Sequence, residues 1–183
     1  MEINGKILIA SDIHGRTLKT EFLLDAIERE NPDHIILLGD FMYNGPRNGV
    51  PNDYEPMVVA KMLNAFKDKI IGIEGNCDSR IDHMILSFPI YPILEMKING
   101  KKCLLIHGDD ASLSWIKKSD VEVCLFGHTH YHLYNQSGEL AFINPGSIGF
   151  PKDKTPGTYA TWNGNVISFY EIEEGKLLQS YNL

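Results

Sequence analysis

The hydrophobic pattern of this chain changes period near its middle. Residues 6–11, KILIAS, form a short apolar run that reads as a buried strand. Residues 17–30 follow with apolar side chains at Leu18, Phe22, Leu23, Ala26 and Ile27, the rhythm of an amphipathic helix. The alternation then repeats, with a strand expected over 34–39, a helix over 54–68, a strand over 69–75 and a short helix over 79–87. Strands and helices in alternation predict an α/β fold with parallel strands in the first half.

From about residue 93 the helical period gives way to hairpins. Strands expected over 93–98 and 101–107 flank Asn99-Gly100, the strongest short turn signal. Strands over 131–135 and 139–144 are joined at Ser137-Gly138, and those over 158–162 and 166–172 at Asn163-Gly164. Further strands are expected over 121–126 and 177–181. A second, more antiparallel sheet follows from this pattern. Segments 45–56 and 145–157 are irregular, and long loops beside strand ends are where sites tend to be built. No repeat, low-complexity tract or linker divides the chain, so residues 1–183 are expected to form one domain.

Composition narrows the function. Hydrophobic residues make up 43% of the 183-residue chain, enough for a real core, and the net charge is -7. That charge argues against stable nucleic-acid binding, which needs Lys and Arg to neutralise phosphates. The three cysteines form no C-x-x-C pair, and Cys103 and Cys124 lie in apolar runs as small core residues. No signal peptide is apparent, and no apolar run approaches the roughly 20 residues that cross a bilayer. A cytoplasmic protein with no membrane attachment is expected.

The candidate chemistry sits where apolar runs end. The first strand delivers Asp12 and His14, the second Asp40, and the third Asn76, Cys77 and Asp78. Later runs deliver His107, then His128, His130 and His132 in FGHTHYH. If that last strand continued, period-two spacing would turn all three histidines to one face. The carboxyl ends of parallel strands face one crevice, so the first three groups would meet there, and the second sheet could bring the histidines. Singly, each group has an ordinary explanation: a D-x-H can cap a helix, and Gly-Asp suits a turn. Five such elements, each following an apolar run, point together to a site.

In order, Asp12-Ile13-His14, Gly39-Asp40, Gly75-Asn76-Cys77-Asp78, His107 and Gly127-His128-Thr129-His130 resemble the signature of the calcineurin-like metallophosphoesterase superfamily. GPRN at 45–48, NPGS at 144–147 and the short length look like its YfcE-type branch of small bacterial phosphodiesterases. The resemblance implies two mixed β-sheets packed face to face with helices outside, a four-layer α/β sandwich, and a dinuclear metal site at one edge. It implies one metal held by Asp12, His14, Asp40 and His130, and a second held by Asp40, Asn76, His107 and His128, with Asp40 bridging. The i, i+2 pairing of His128 and His130 suits two ions about 3.5–4 Å apart. His132 falls outside the signature, either lining the cleft or simply solvated.

Two carboxylates, one amide and four imidazoles suit Mn2+, Fe2+, Co2+, Ni2+ or Zn2+, and the resemblance favours Mn2+. Two divalent ions and a bridging hydroxide, set against Asp12 and Asp40, leave about +1, which matches a phosphodiester monoanion. The implied reaction is hydrolysis of a small phosphodiester by attack of a metal-bridging hydroxide, with Asp40, Asn76, Cys77 and Asp78 in the catalytic centre. No protein nucleophile is needed, and neither Ser11 nor Ser147 sits in a nucleophile elbow. Arg47 either contacts a phosphate oxygen or is a surface arginine, and Asn44 is a similar case. Asp78 either orients Asn76 or a cleft water, or caps the helix expected from residue 79. Cys77 stands where most relatives carry a proton-donating histidine; either nearby dications push its thiol toward a thiolate, or its role is to fill space beside Asn76. A phosphomonoesterase or nucleotidase on the same site is the alternative enzyme reading. A non-catalytic scaffold is the third, since a retromer subunit uses this fold; a filled ligand set favours catalysis. A homo-oligomer is compatible with the sequence.

Overall fold

A computed structural model describes residues 1–109, 120–152 and 154–183. Two mixed sheets pack face to face, as expected. Thirteen strands and three α-helices are present among the described residues. The first sheet has seven strands in the order β13-β12-β11-β2-β3-β4-β5. Its parallel half comprises β2 (Ile7–Ala10), β3 (His34–Leu37), β4 (Ile70–Ile73) and β5 (Ile90–Tyr91). Its antiparallel half comprises β11 (Thr158–Asn163), β12 (Val166–Glu171) and β13 (Leu177–Asn182).

The second sheet has six strands in the order β1-β6-β7-β8-β10-β9. These are β1 (Glu2–Ile3), β6 (Leu94–Ile98), β7 (Lys101–Leu105), β8 (Val123–Leu125), β9 (His132–Ser137) and β10 (Leu140–Pro145). Asn99 and Gly100 both take positive φ, as the tight β6–β7 turn requires.

The strand partition differs from expectation. The last three strands do not join the second sheet; β11 pairs antiparallel with β2 and extends the first. Every residue of β2 is buried, so both of its long edges need a partner. β11, buried over Thr158–Trp162, supplies one. Two of the three helices are shorter than the periodicity suggested. α1 keeps its expected span, Thr17–Glu30, whereas α2 runs only from Pro56 to Asn64, with its proline in the first turn. The helix expected over 79–87 is a single turn, α3 (Asp82–Ile85). No described helix is long and apolar enough to cross a membrane.

Two cores hold these layers. Ile9, Ile36, Trp162 and Phe169 of the first sheet meet Met96, Leu105, Val123, Leu125 and Ile143 of the second. On the outer face of the first sheet, Leu8, Ile35 and Leu37 pack under Leu23, Ala26 and Ile27 of α1 and Val59 and Leu63 of α2. Cys103 and Cys124 are buried, as expected, and all three cysteines are free. With the two sheets packed face to face, the carboxyl ends of β2, β3, β4, β7 and β8 project loops to the same edge.

Candidate metal centre

Each loop at that edge presents its first candidate ligand two or three residues beyond a strand. Asp12 and His14 follow β2, Asp40 follows β3, Asn76 follows β4, His107 follows β7, and His128 and His130 follow β8. The strand does not continue through the histidines: β8 stops at Leu125, so their i, i+2 spacing is not a pleat. Asp12, His14, Asp40, His128 and His130 instead all have φ between 54° and 64°. Left-handed backbone is uncommon outside glycine, though Asp and His tolerate it better than most, and it costs about 1–3 kcal/mol per residue. Five strained residues in one cluster mark a site that the surrounding fold holds in place.

The flanking glycines are explained by the same crowding. A Cβ on Gly75 would lie 2.3 Å from Asp40 Oδ1, and one on Gly127 would lie 2.1 Å from Ser11 Oγ. A side chain at either position would push apart the loops that carry the ligands.

Three imidazoles are oriented alike. His14 Nδ1 donates to the Tyr43 carbonyl at 2.8 Å, His107 Nδ1 to Leu38 at 2.6 Å and His130 Nδ1 to Phe150 at 2.6 Å. A carbonyl only accepts, so each Nδ1 carries the proton and each Nε2 points inward. His14 and His130 place their Nε2 atoms 3.3 Å apart. His130 Nε2 lies 3.3 Å from Asp12 Oδ1. Asp40 Oδ2 lies 3.5 Å from Nε2 of both His14 and His107, so one carboxylate oxygen sits between the two imidazoles. On the open side, Asn76 Oδ1 is 3.1 Å from His107 Nε2, and the His107 and His128 rings are 5.2 Å apart. Asp12, His14, Asp40, His107 and His130 are buried, whereas Asn76 is exposed and His128 half-buried.

These donors fit divalent cations. Asp12 Oδ1 is fully buried with no hydrogen-bond partner, an unsatisfied acceptor that a cation among the inward-facing Nε2 atoms would satisfy. Asp12, His14 and His130 form one compact group, and Asp12, Asp40 and His107 another; Cys77 joins His14 and Asp40 in a third. Their carboxylates are themselves held. Asp12 Oδ2 accepts the His128 N–H at 3.0 Å, and Asp40 Oδ1 accepts the Cys77 N–H at 2.8 Å.

The electrostatics follow from these contacts. Burial alone would raise the Asp40 pKa, but His107, the Cys77 N–H and His14 outweigh it and hold it at about 2. Burial would likewise lower the His107 pKa, yet the Asp40 and Asp12 carboxylates and the Leu38 carbonyl carry it to about 9. His14 and His128 shift downward, chiefly through burial. Without ions, burial and then the charges of Asp40, Asp78 and Asp12 push the Cys77 thiol up to about 12; the lowering expected beside dications acts only when ions are bound. It is a protonated thiol here, not a thiolate.

Other sequence candidates play visible structural parts. Asp78 accepts N–H groups from Asp40 (2.8 Å), Gly75 (2.7 Å) and Phe41 (2.8 Å), clamping the loop after β4 to the loop after β3. Burial pushes its carboxyl up to about 7 against the pull of those three donors. Asp78 does not cap α3, which has no side-chain cap; Asp82 in its first turn instead accepts the Ser79 N–H of the preceding loop at 2.8 Å. Asn44 is buried, and its amide donates weakly to the Asn48 and Gly49 carbonyls within its own loop. Arg47 stands exposed on that loop. His132 begins β9 and lies beside Phe169, away from the cluster.

Some contributors carried little sequence signal. The Tyr43, Leu38 and Phe150 carbonyls orient the histidines, and a carbonyl has no sequence signature. Asn144 and Ser147 of NPGS did have one. The Asn144 amide donates to the Gly127 carbonyl at 2.6 Å, and the Ser147 hydroxyl donates to the Asp12 carbonyl at 2.9 Å.

Comparison with known proteins agrees with this geometry. Residues 6–164 match the family model of the calcineurin-like phosphoesterase superfamily domain. The chain is 35% identical over 177 residues to phosphodiesterase YfcE of Escherichia coli strain K12, covering 94% of this chain and 95% of that protein. The solved structure of the Escherichia coli phosphoesterase Yfce superimposes with a TM-score of 0.88 at 32% identity, over 97% of this chain and 98% of that one. Vacuolar protein sorting 29 of Cryptosporidium parvum shares the fold, with a TM-score of 0.67 at 18% identity over 98% of both chains.

Proposed function

The chain belongs to the calcineurin-like phosphoesterase superfamily, and from that premise we propose that it is a metal-dependent phosphodiesterase acting on a small phosphodiester. One observation carries the reading: three imidazoles locked with Nε2 inward surround two buried carboxylates, one of whose oxygens has no partner. Asp12, His14, Asp40 and His130 would hold one divalent ion and Asp40, Asn76, His107 and His128 the other, with Mn2+ the favoured metal by resemblance. When bound, such ions lower the pKa of coordinated water to supply a hydroxide nucleophile and neutralise charge on the phosphate.

The chain's own residues do the rest. Asp40 ties the two halves together through one oxygen. The backbone carbonyls of Tyr43, Leu38 and Phe150 fix ligand tautomer and direction, the outer-sphere arrangement that sets metal affinity. Substrate approaches from the side where Asn76, His128 and Cys77 are accessible. Arg47, exposed on the neighbouring loop, would contact a phosphate oxygen through its planar fork. Asp78 keeps the loop carrying Asn76 against the loop carrying Asp40. The whole described chain serves as a single domain, and its three free thiols suit a reducing cytoplasm.

The test compares bis(p-nitrophenyl) phosphate with p-nitrophenyl phosphate. A chelator should abolish diester turnover, and Mn2+ should restore it. A kcat/KM for the monoester about tenfold or more above that for the diester would favour a phosphomonoesterase and defeat the charge argument, since a tenfold ratio is about 1.4 kcal/mol of transition-state preference. Metal-loaded protein with no turnover of either ester would favour a scaffold.

A further inference from the structure

We propose that Arg16 is a positioning residue for the metal centre, acting through the 147–150 loop to set the direction of His130. The inference rests on the metal-centre reading above. Arg16 follows the Asp12–Gly15 turn and is half-buried. Its guanidinium grips the Asp53 carboxylate, with Nε 3.0 Å from Oδ1 and 3.2 Å from Oδ2, and Nη2 2.9 Å from Oδ1. Nη1 donates to the Gly149 carbonyl at 2.9 Å, and the guanidinium carbon lies 5.4 Å from the centre of the Phe150 ring. One planar group therefore joins three loops: its own, the 45–56 loop through Asp53, and the 145–157 loop through Gly149 and Phe150.

The consequence reaches the metal ligands within one peptide unit. Gly149 O and Phe150 O belong to successive planar groups, so pinning the first restricts the second. Phe150 O is the acceptor that fixes the His130 ring, and the Phe150 ring stands edge-on to His14 with centroids 5.4 Å apart. The same loop is held from the other side by Gly149 N–H to Asp12 O at 2.9 Å and by the Ser147 hydroxyl, which accepts the Phe150 N–H at 2.8 Å. Arg16 thus clamps the outer side of a loop whose inner side rests on a ligand. Losing the clamp should free His130 to rotate and weaken the Asp12, His14 and His130 group. Asn76 and His107 lie on other loops, and the His128 ring, though on the same loop as His130, packs against His107, so that half should be spared.

The test titrates chelator-stripped protein with Mn2+ alone and Zn2+ alone, using wild type, Arg16→Met, Arg16→Lys and Asp53→Asn. Arg16→Met should weaken one of the two ions by up to about 10–100-fold, the range for losing a partner bonded to the ligand itself, and change the other little. Methylguanidinium added in solution should restore the weakened ion in Arg16→Met, a rescue that general destabilisation would not give. Arg16→Lys, which keeps the charge but not the fork, should fall between wild type and Arg16→Met. Equal weakening of both ions, no weakening, or failure of the rescue would overturn the inference. If Arg16→Met does not fold, Asp53→Asn must show the same selective weakening, and its absence there is equally contrary. Wild type that takes up neither ion would instead defeat the metal-centre reading itself.

Discussion

His107 Nε2 lies 3.5 Å from Asp40 Oδ2, and the two groups drive each other's proton affinities apart. His107 is carried to about 9 and Asp40 held at about 2, so at neutral pH the metal-free site holds an imidazolium beside a carboxylate. A metal ion needs that imidazole neutral, so it must displace the proton.

Metal binding should therefore release protons. At pH 7 uptake at the His107 site should expel about one proton, and apparent affinity should rise about tenfold per pH unit up to about pH 9. Calorimetric titration in buffers of different ionisation enthalpy measures the number released. In the metal-free protein the sign is the reverse. The stability His107 adds is complete below its ordinary value of 6.5 and is lost as the pH rises through about 9. That from Asp40 is complete above 3.8 and is lost as the pH falls toward about 2. Metal uptake without proton release would remove His107 from the ligand set.

Asp78→Ala should destabilise the metal-free protein by about 1–3 kcal/mol, because three backbone N–H groups lose their acceptor. Asp78→Asn should be no better, since its amide nitrogen would face donors that need an acceptor. Urea unfolding of chelator-treated protein measures both. A variant as stable as wild type would mean that the clamp between the loops after β3 and β4 contributes nothing.

Much of this site was readable from residue order. Each candidate ligand follows an apolar run, because a buried strand must end before the backbone can turn and present a polar side chain at the sheet edge. What the order did not convey is how the histidines are aimed. Period two suggested a pleat through His128, His130 and His132, but the left-handed turns at His128 and His130 separate them from His132 on β9. Left-handed backbone at Asp or His has no periodic signature. The sheet partition was hidden for a related reason. Hairpin signals report neighbours in sequence, whereas the β11–β2 pairing joins strands about 150 residues apart.

Cys77→Ala should keep its metal and most of its activity toward aryl diesters, whose leaving groups need no proton. Cys77→His should help alkyl diesters more than aryl ones, since a general acid is worth roughly 10²–10⁴-fold where the leaving group is poor. Turnover of nitrophenyl and alkyl diesters by wild type and the Ala and His variants tests both statements. Loss of metal from Cys77→Ala would instead make the thiol a ligand, alongside His14 and Asp40, with which it forms a compact group.

The central claim is that one carboxylate, Asp40, joins two divalent ions in a single hydrolytic centre. Its most direct test is elemental analysis of wild type and Asp40→Ala after metal loading and desalting, with diester turnover measured on the same samples. The account predicts two ions per wild-type chain, and loss of both metal and turnover in Asp40→Ala. Stoichiometric metal with normal turnover in Asp40→Ala would contradict it.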